Sequence, residues 1–146
     1  MKLLRAVIAL SAALFLSATA HAGDVAHKLA IHVDQDDPAV MSLALNNVEN
    51  VKAFYAAAGE GLTVEVVAYG PGLNMLLAGK SPVRERIAAM SLEDPTMQFS
   101  ACGNTLSKMQ EKAGKDLPLL SETRIVTSGV VRLMELQEQG NSYVKP

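Results

Sequence analysis

Cys102, the single cysteine of this 146-residue chain, is the residue best placed for covalent chemistry. It follows the apolar run Met97 to Ala101 (MQFSA), which reads as a strand, and it precedes Gly103, Asn104 and Thr105, where Asn104 or Thr105 can cap a helix. Unpaired N–H groups at a helix start favour negative charge, so a thiol there is drawn toward the thiolate, its nucleophilic form. Gly103 places no side chain between the sulfur and a substrate or partner. The competing role is a buried cysteine that fills space at a strand end, because cysteine is among the most often buried residues.

A reactive thiol is helped by a nearby cation, and Lys80, Arg84 and Lys108 are the candidates. The C-x5-K spacing to Lys108 is similar to the C-x5-R phosphate loop of tyrosine phosphatases. Lysine lacks the bidentate fork of arginine and the loop lacks that motif's glycines, which argues against phosphatase chemistry. Asp34, Asp36 and Asp37 would oppose ionisation if they lie close, although their ordinary role is to start a helix. His32 alternates with Ala30 along a strand and reads as a core or edge histidine with a hydrogen-bond partner. Met41, Met90, Met109 and Met134 fall on apolar helix faces, where core packing is expected rather than copper binding. A Gly-rich nucleotide fingerprint, a zinc spacing and a nucleophile elbow are all missing from the sequence, so no cofactor and no metal are expected.

The chain opens with Lys2 and Arg5, continues uncharged from Ala6 to Ala20, and reaches Ala20-His21-Ala22. That order reads as a signal peptide over residues 1–22, cleaved after Ala22. The uncharged stretch is 15 residues long, below the roughly 20 a membrane-spanning helix needs. A periplasmic or secreted location follows, with no membrane attachment after cleavage. Residues 23–146 then form one domain with 11 basic and 15 acidic residues, a net charge of −4 that gives nucleic acid nothing to bind. In an oxidising compartment the lone Cys102 has no partner within its own chain, so it is free, buried, modified, or bonded to another chain.

The elements that must position these residues alternate. Lys28 to Val33 reads as a strand. Asp34 to Pro38 starts a helix carrying Leu45, Val48, Val51 and Tyr55 at spacings of three and four, and Leu62 to Tyr69 is a second strand that stops at Gly70-Pro71-Gly72. Leu73 to Ala78 forms a short helix, and Ser81-Pro82 starts another with Val83, Ile87 and Met90 on one face. The third strand and the helix after Cys102 end at Gly114, Thr123 to Thr127 is the fourth strand, and Ser128-Gly129 opens a last helix, unless Val130 and Val131 prolong the strand. Tyr143 to Lys145 adds a short fifth strand. Glu65 interrupts the second strand, which suggests an edge, a solvent-facing side or a subunit contact.

Strand–helix–strand crossovers make neighbouring strands parallel, so the expected fold is a three-layer α/β/α domain with a mostly parallel sheet of about five strands. Ligands of open α/β sheets gather at the carboxyl edge. That edge would hold Asp34, Gly70, Gly72, Cys102, Gly103, Asn104 and Ser128.

KLAIHVDQDD, VVAYGPG, FSACGNT and SGVVRLMELQEQG, in that order from Lys28 to the C-terminus, resemble the DsrE/DsrF-like family, small α/β proteins of sulfur metabolism that include the TusD-type relay subunits. The resemblance covers nearly the whole domain. It implies a mostly parallel five-stranded sheet, homo-oligomers (dimers, trimers or hexamers), a persulfide carried on Cys102, and a sulfur-donor or acceptor protein as partner. The best-known relay members work in the cytoplasm, whereas this chain opens with an export signal. The leading expectation is an exported sulfur carrier or sulfur-compound binder acting through Cys102. The alternatives are a non-catalytic oligomeric binding module with the same fold, and a thiol redox sensor that forms an intermolecular disulfide.

Overall fold

The structure, a computed structural model, describes residues 25–146, so the leader, its cleavage site and the boundary at residue 23 lie outside the described residues. Five strands, β1 (Val25–Val33), β2 (Gly61–Ala68), β3 (Gln98–Cys102), β4 (Thr123–Val126) and β5 (Ser142–Val144), alternate with four α-helices. These are α1 (Pro38–Ala57), α2 (Arg84–Glu93), α3 (Gly103–Ala113) and α4 (Gly129–Glu138). A 3-10 turn over Gly70–Leu76 replaces the short helix expected after β2.

Local chemistry sets the boundaries. Asp37 caps α1 by accepting the Ala39 N–H at 2.8 Å, and Pro38, which has no N–H to lose, takes the first helical position. Gly114 closes α3 with φ of 63°, a left-handed conformation that suits glycine. The β-branched pair Val130-Val131 does not prolong β4, because α4 begins at Gly129. Helix α2 starts at Arg84 rather than at Pro82, after a turn in which Ser81 Oγ accepts the Val83 N–H.

All four strand pairings are parallel, in the order β4-β3-β2-β1-β5, so the expected three-layer α/β/α fold is the one observed. The two faces of the sheet differ. One packs Ile31, Val33, Val66, Ala68, Phe99 and Ala101 against Met41, Leu45 and Val48 of α1, Ile87 of α2 and Leu106 of α3. Each large side chain sealed there contributes about 1.5–3 kcal/mol. The other face is roofed by α4, whose Leu133 and Leu136 meet Ala30 and Val67. By strand alternation that face also carries His32, Glu65 and Ser100, all buried polar residues.

Glu65 explains how such a face is closed, and it corrects the edge expectation. Strand β2 lies between β3 and β1, away from both edges, and Glu65 is buried beneath α4. Its Oε1 accepts from Ser100 Oγ at 2.7 Å and Arg132 Nε at 2.9 Å, while Oε2 accepts from Arg124 at 2.7 Å and Arg132 at 2.8 Å. Burial opposes the charge, yet the hydrogen bonds from Arg132, Ser100 and Arg124 hold the carboxyl down at about 2. Arg132 belongs to α4, so this network fixes the helix on the sheet.

Candidate functional site

Strand register assembles the site. Val33 pairs with Ala68 and Ala68 with Ala101, so the next residues, Asp34, Tyr69 and Cys102, stand level at the carboxyl ends of β1, β2 and β3. Alternation puts all three on the α4 side.

Cys102 is the N-cap of α3, two residues ahead of Asn104, the nearer of the expected caps, and it is 5% exposed. Burial pushes the thiol up, but donors more than offset it and hold it below the ordinary cysteine value. They are the Thr105 hydroxyl and the backbone N–H groups of Gly129, Thr105 and Asn104. The sulfur is therefore held between two helix starts, α3 and α4. Thr105 is oriented for this task. Its Oγ1 accepts the Gly70 N–H at 3.1 Å, which turns the hydroxyl's free proton away from Gly70, and the hydroxyl lowers the thiol.

Gly129 must be glycine. A Cβ there would come within 2.9 Å of the Tyr69 ring and 3.2 Å of Cys102 Cβ. The absent side chain lets the first amide of α4 reach the thiol.

A second group of polar side chains adjoins this one through Tyr69. Its ring stacks on His32 with centroids 4.5 Å apart, and His32 Nδ1 lies 2.7 Å from the Tyr143 hydroxyl on β5. Lys145 donates to Asp34 Oδ2 at 2.6 Å, and that oxygen is 3.8 Å from His32 Nε2. Burial, against the pull of Asp34, lowers His32 and keeps it neutral, while the Lys145 hydrogen bond lowers Asp34. Burial and then the charges of Asp34, Tyr143 and Cys102 raise Tyr69, which therefore senses both ends of the row.

The other expected edge residues have narrower roles. Gly70 orients Thr105 through its N–H. Gly72 lies so near β1 that a Cβ would stand 2.4 Å from the Val33 carbonyl oxygen, so it serves packing rather than a ligand. Gly103 does not open a path to the sulfur, because the space beside it is taken by Ile125 Cγ2 and Val126 O, each 3.2 Å from where a Cβ would be. Asn104 contributes its amide, which also bonds Thr127 O at 3.2 Å, while its side chain is exposed. Ser128 is the N-cap of α4 without a side-chain capping bond.

None of the cation candidates is among the main groups that set the acidity of the thiol. Lys80 instead borders an open cleft of about 640 Å³ with Met109, Lys112 and Leu117, Arg84 opens α2, and Lys108 is exposed on α3. Sequence reasoning missed Tyr69, Tyr143 and Lys145, and it placed Gly129 at the edge without its role beside the thiol. The alternation of Tyr143 with Lys145 on a terminal strand was the available signal for that pair. Among the described residues, no group of three or more His, Cys, Asp or Glu could hold a metal ion, and no helix is long and apolar enough to cross a membrane.

No protein-family model and no curated protein matches the chain. Among solved structures it is similar to MTH1491 from Methanobacterium thermoautotrophicum, a protein of unknown function. The two are 30% identical with a TM-score of 0.69, over 82% of this chain and 99% of MTH1491.

Proposed function

We propose that this chain, which belongs to the same family as MTH1491, is an exported sulfur carrier of DsrE/DsrF type that holds a sulfane sulfur on Cys102. The observation that carries the reading is the placement of Cys102 at the N-cap of α3 with Gly129, the first residue of α4, packed against it, so that two helix starts face one thiol and lower its pKa. A packing cysteine has no use for them, whereas an anionic sulfur does.

The chemistry balances without an oxidant. The Cys102 thiolate attacks the sulfane sulfur of a donor R–S–SH, an S–S bond forms to Sγ, and the bond from that sulfur to R–S breaks with its electron pair. R–S⁻ leaves and takes the sulfane proton, which gives R–SH and a Cys102 persulfide anion. The same amides and hydroxyl that favour the thiolate then favour this anion. Transfer onward repeats the exchange on an acceptor thiol. With Cys102 only 5% exposed, the donor must reach it through the α4 side of the edge.

The homo-oligomer belongs to the same proposal. Ile125 on the edge strand β4 and Val130, Val131 and Met134 on α4 are exposed apolar residues beside the site, a surface that a second copy would cover. Export rests on the sequence of residues 1–22.

The test is the alkylation rate of Cys102 against pH, followed by intact mass after incubation with a persulfide donor. A midpoint below that of free cysteine and a gain of one sulfur atom, lost in Cys102→Ala, are expected. A free-cysteine midpoint with no added sulfur would point to the binding module, and a dimer that dissociates under reducing conditions to the redox sensor.

A further inference from the structure

Three lysines gather at the end of α3 remote from Cys102. Lys112 lies in the last turn of that helix, Lys115 follows the stop at Gly114, and Lys80 comes from the separate segment between the 3-10 turn and α2. All three border the open cleft of about 640 Å³, a volume within the range of about 300–1,000 Å³ usual for small-ligand sites. Its apolar lining is Leu77, Met109, Ala113, Leu117 and Pro118. Backbone bonds hold two of its walls together. Leu77 bridges Leu119, the Ala78 N–H donates to Pro118 O at 2.9 Å, and the Leu120 N–H donates to Leu76 O at 2.9 Å.

The charges are what a mere packing groove does not need. Lys52, Lys145, Arg86, Arg124 and Arg132 each pair with a carboxylate. Among the described residues, Lys80, Lys112 and Lys115 enter no ion pair, and the carboxylate of Asp116 is the one acidic group on the cleft. The carbonyl end of α3 accounts for Lys112, because cations are favoured there. It does not account for Lys80, which belongs to another wall. In a domain with more acidic than basic residues, this excess of cations is local.

We infer that the cleft binds a small free amphipathic anion, a single aliphatic chain ending in a carboxylate or sulfonate. The chain would lie on Leu77, Met109 and Leu117, and the head group would meet the ammonium groups at the rim. Lysine suits that task, since its stem covers apolar surface while its charge stays in water. A nucleotide is the poorer occupant, because no aromatic side chain lines the cleft for a base to stack on. Met109 and Lys112 stand roughly 10–15 Å along α3 from Cys102, so this site is separate from the thiol and does not depend on the sulfur-carrier reading.

The experiment titrates the protein with hexanoate, octanoate, octan-1-ol and octylamine at low salt, by calorimetry and by the NMR signals of the methionine methyls. Octanoate should bind about fivefold more tightly than octan-1-ol, as exposed ion pairs allow. It should also exceed hexanoate by about two- to fourfold for each added methylene. The Met109 methyl should shift, while that of Met134, on the exposed apolar surface of α4, should not. Lys80 and Lys112 are both exposed, so the double variant Lys80→Glu, Lys112→Glu should keep the fold and turn the preference toward octylamine. No binding of octanoate, equal affinities for octanoate and octan-1-ol, a carboxylate preference that survives the double variant, or shifts centred on Met134 would each overturn the inference. Vesicles of phosphatidylglycerol distinguish a membrane-facing patch: binding to them without binding of octanoate would also overturn it.

Discussion

Replacing Glu65 by Gln removes the charge that holds α4 to the sheet while keeping the shape of the side chain. Glu65 is held at about 2 against 4.5 for a free carboxyl, because burial is outweighed by hydrogen bonds from Arg132, Ser100 and Arg124. At 1.36 kcal/mol per unit, that difference corresponds to about 3 kcal/mol of stability at neutral pH. The sign follows from the depressed value. The contribution is fully present above 4.5, and it is lost as pH falls from there through about 2. The expected loss in Glu65→Gln is therefore about 3 kcal/mol at pH 7, in line with a buried pair that loses one partner. Arg124, with its side chain 43% exposed, can turn to solvent, and Arg132 keeps Glu135, which limits the cost. Urea unfolding followed by circular dichroism at pH 7 and at steps down to pH 2 measures both curves. They should converge in acid, where the wild-type carboxyl also becomes neutral. A gap below about 1 kcal/mol at pH 7, or one that persists unchanged at pH 2, would refute the reasoning.

Thr105→Val removes the hydroxyl that lowers the thiol, so the alkylation midpoint should rise and reactivity at neutral pH should fall about tenfold, as expected on losing a hydroxyl dipole next to an anionic sulfur. Gly129→Ala forces a methyl to within 2.9 Å of Tyr69. It should cost about 1–3 kcal/mol in urea unfolding and also raise the alkylation midpoint. Tyr143→Phe removes the partner of His32 Nδ1, and a stability loss of about 1 kcal/mol is expected in the same assay. Met134→Glu puts a charge in the exposed apolar surface of α4, so the sedimentation coefficient should fall to that of a single chain.

Much of this arrangement was legible in the sequence, for local reasons. Pro38 after Asp37, the spacing of Leu45 and Val48, and Gly114 are signals that act within a turn or two, and each marks the element it suggests. Cys102 and Asp34 could be placed at one edge because parallel crossovers leave no other place for them. What stayed hidden depends on strand order and on contacts distant in sequence. Glu65 looks like an edge residue until Arg124 and Arg132, 59 and 67 positions away, are seen to neutralise it. Lys145 meets Asp34 only because β5 lies beside β1, a separation of 111 residues. The cation candidates stand away from the sulfur for a different reason: in place of a side-chain charge the chain supplies backbone dipoles and one hydroxyl there.

Helix α4 has one arginine seated on Glu65 and its first amide on the thiol, so the acidity of Cys102 doubles as a gauge of whether that helix is docked. Anything that lifts α4, whether a second chain gripping Met134 or a donor protein wedged against Ser128, would deprive the sulfur of Gly129 while uncovering it. Admission of a visitor and a more weakly held anion thus become one mechanical event, suited to handing an atom onward.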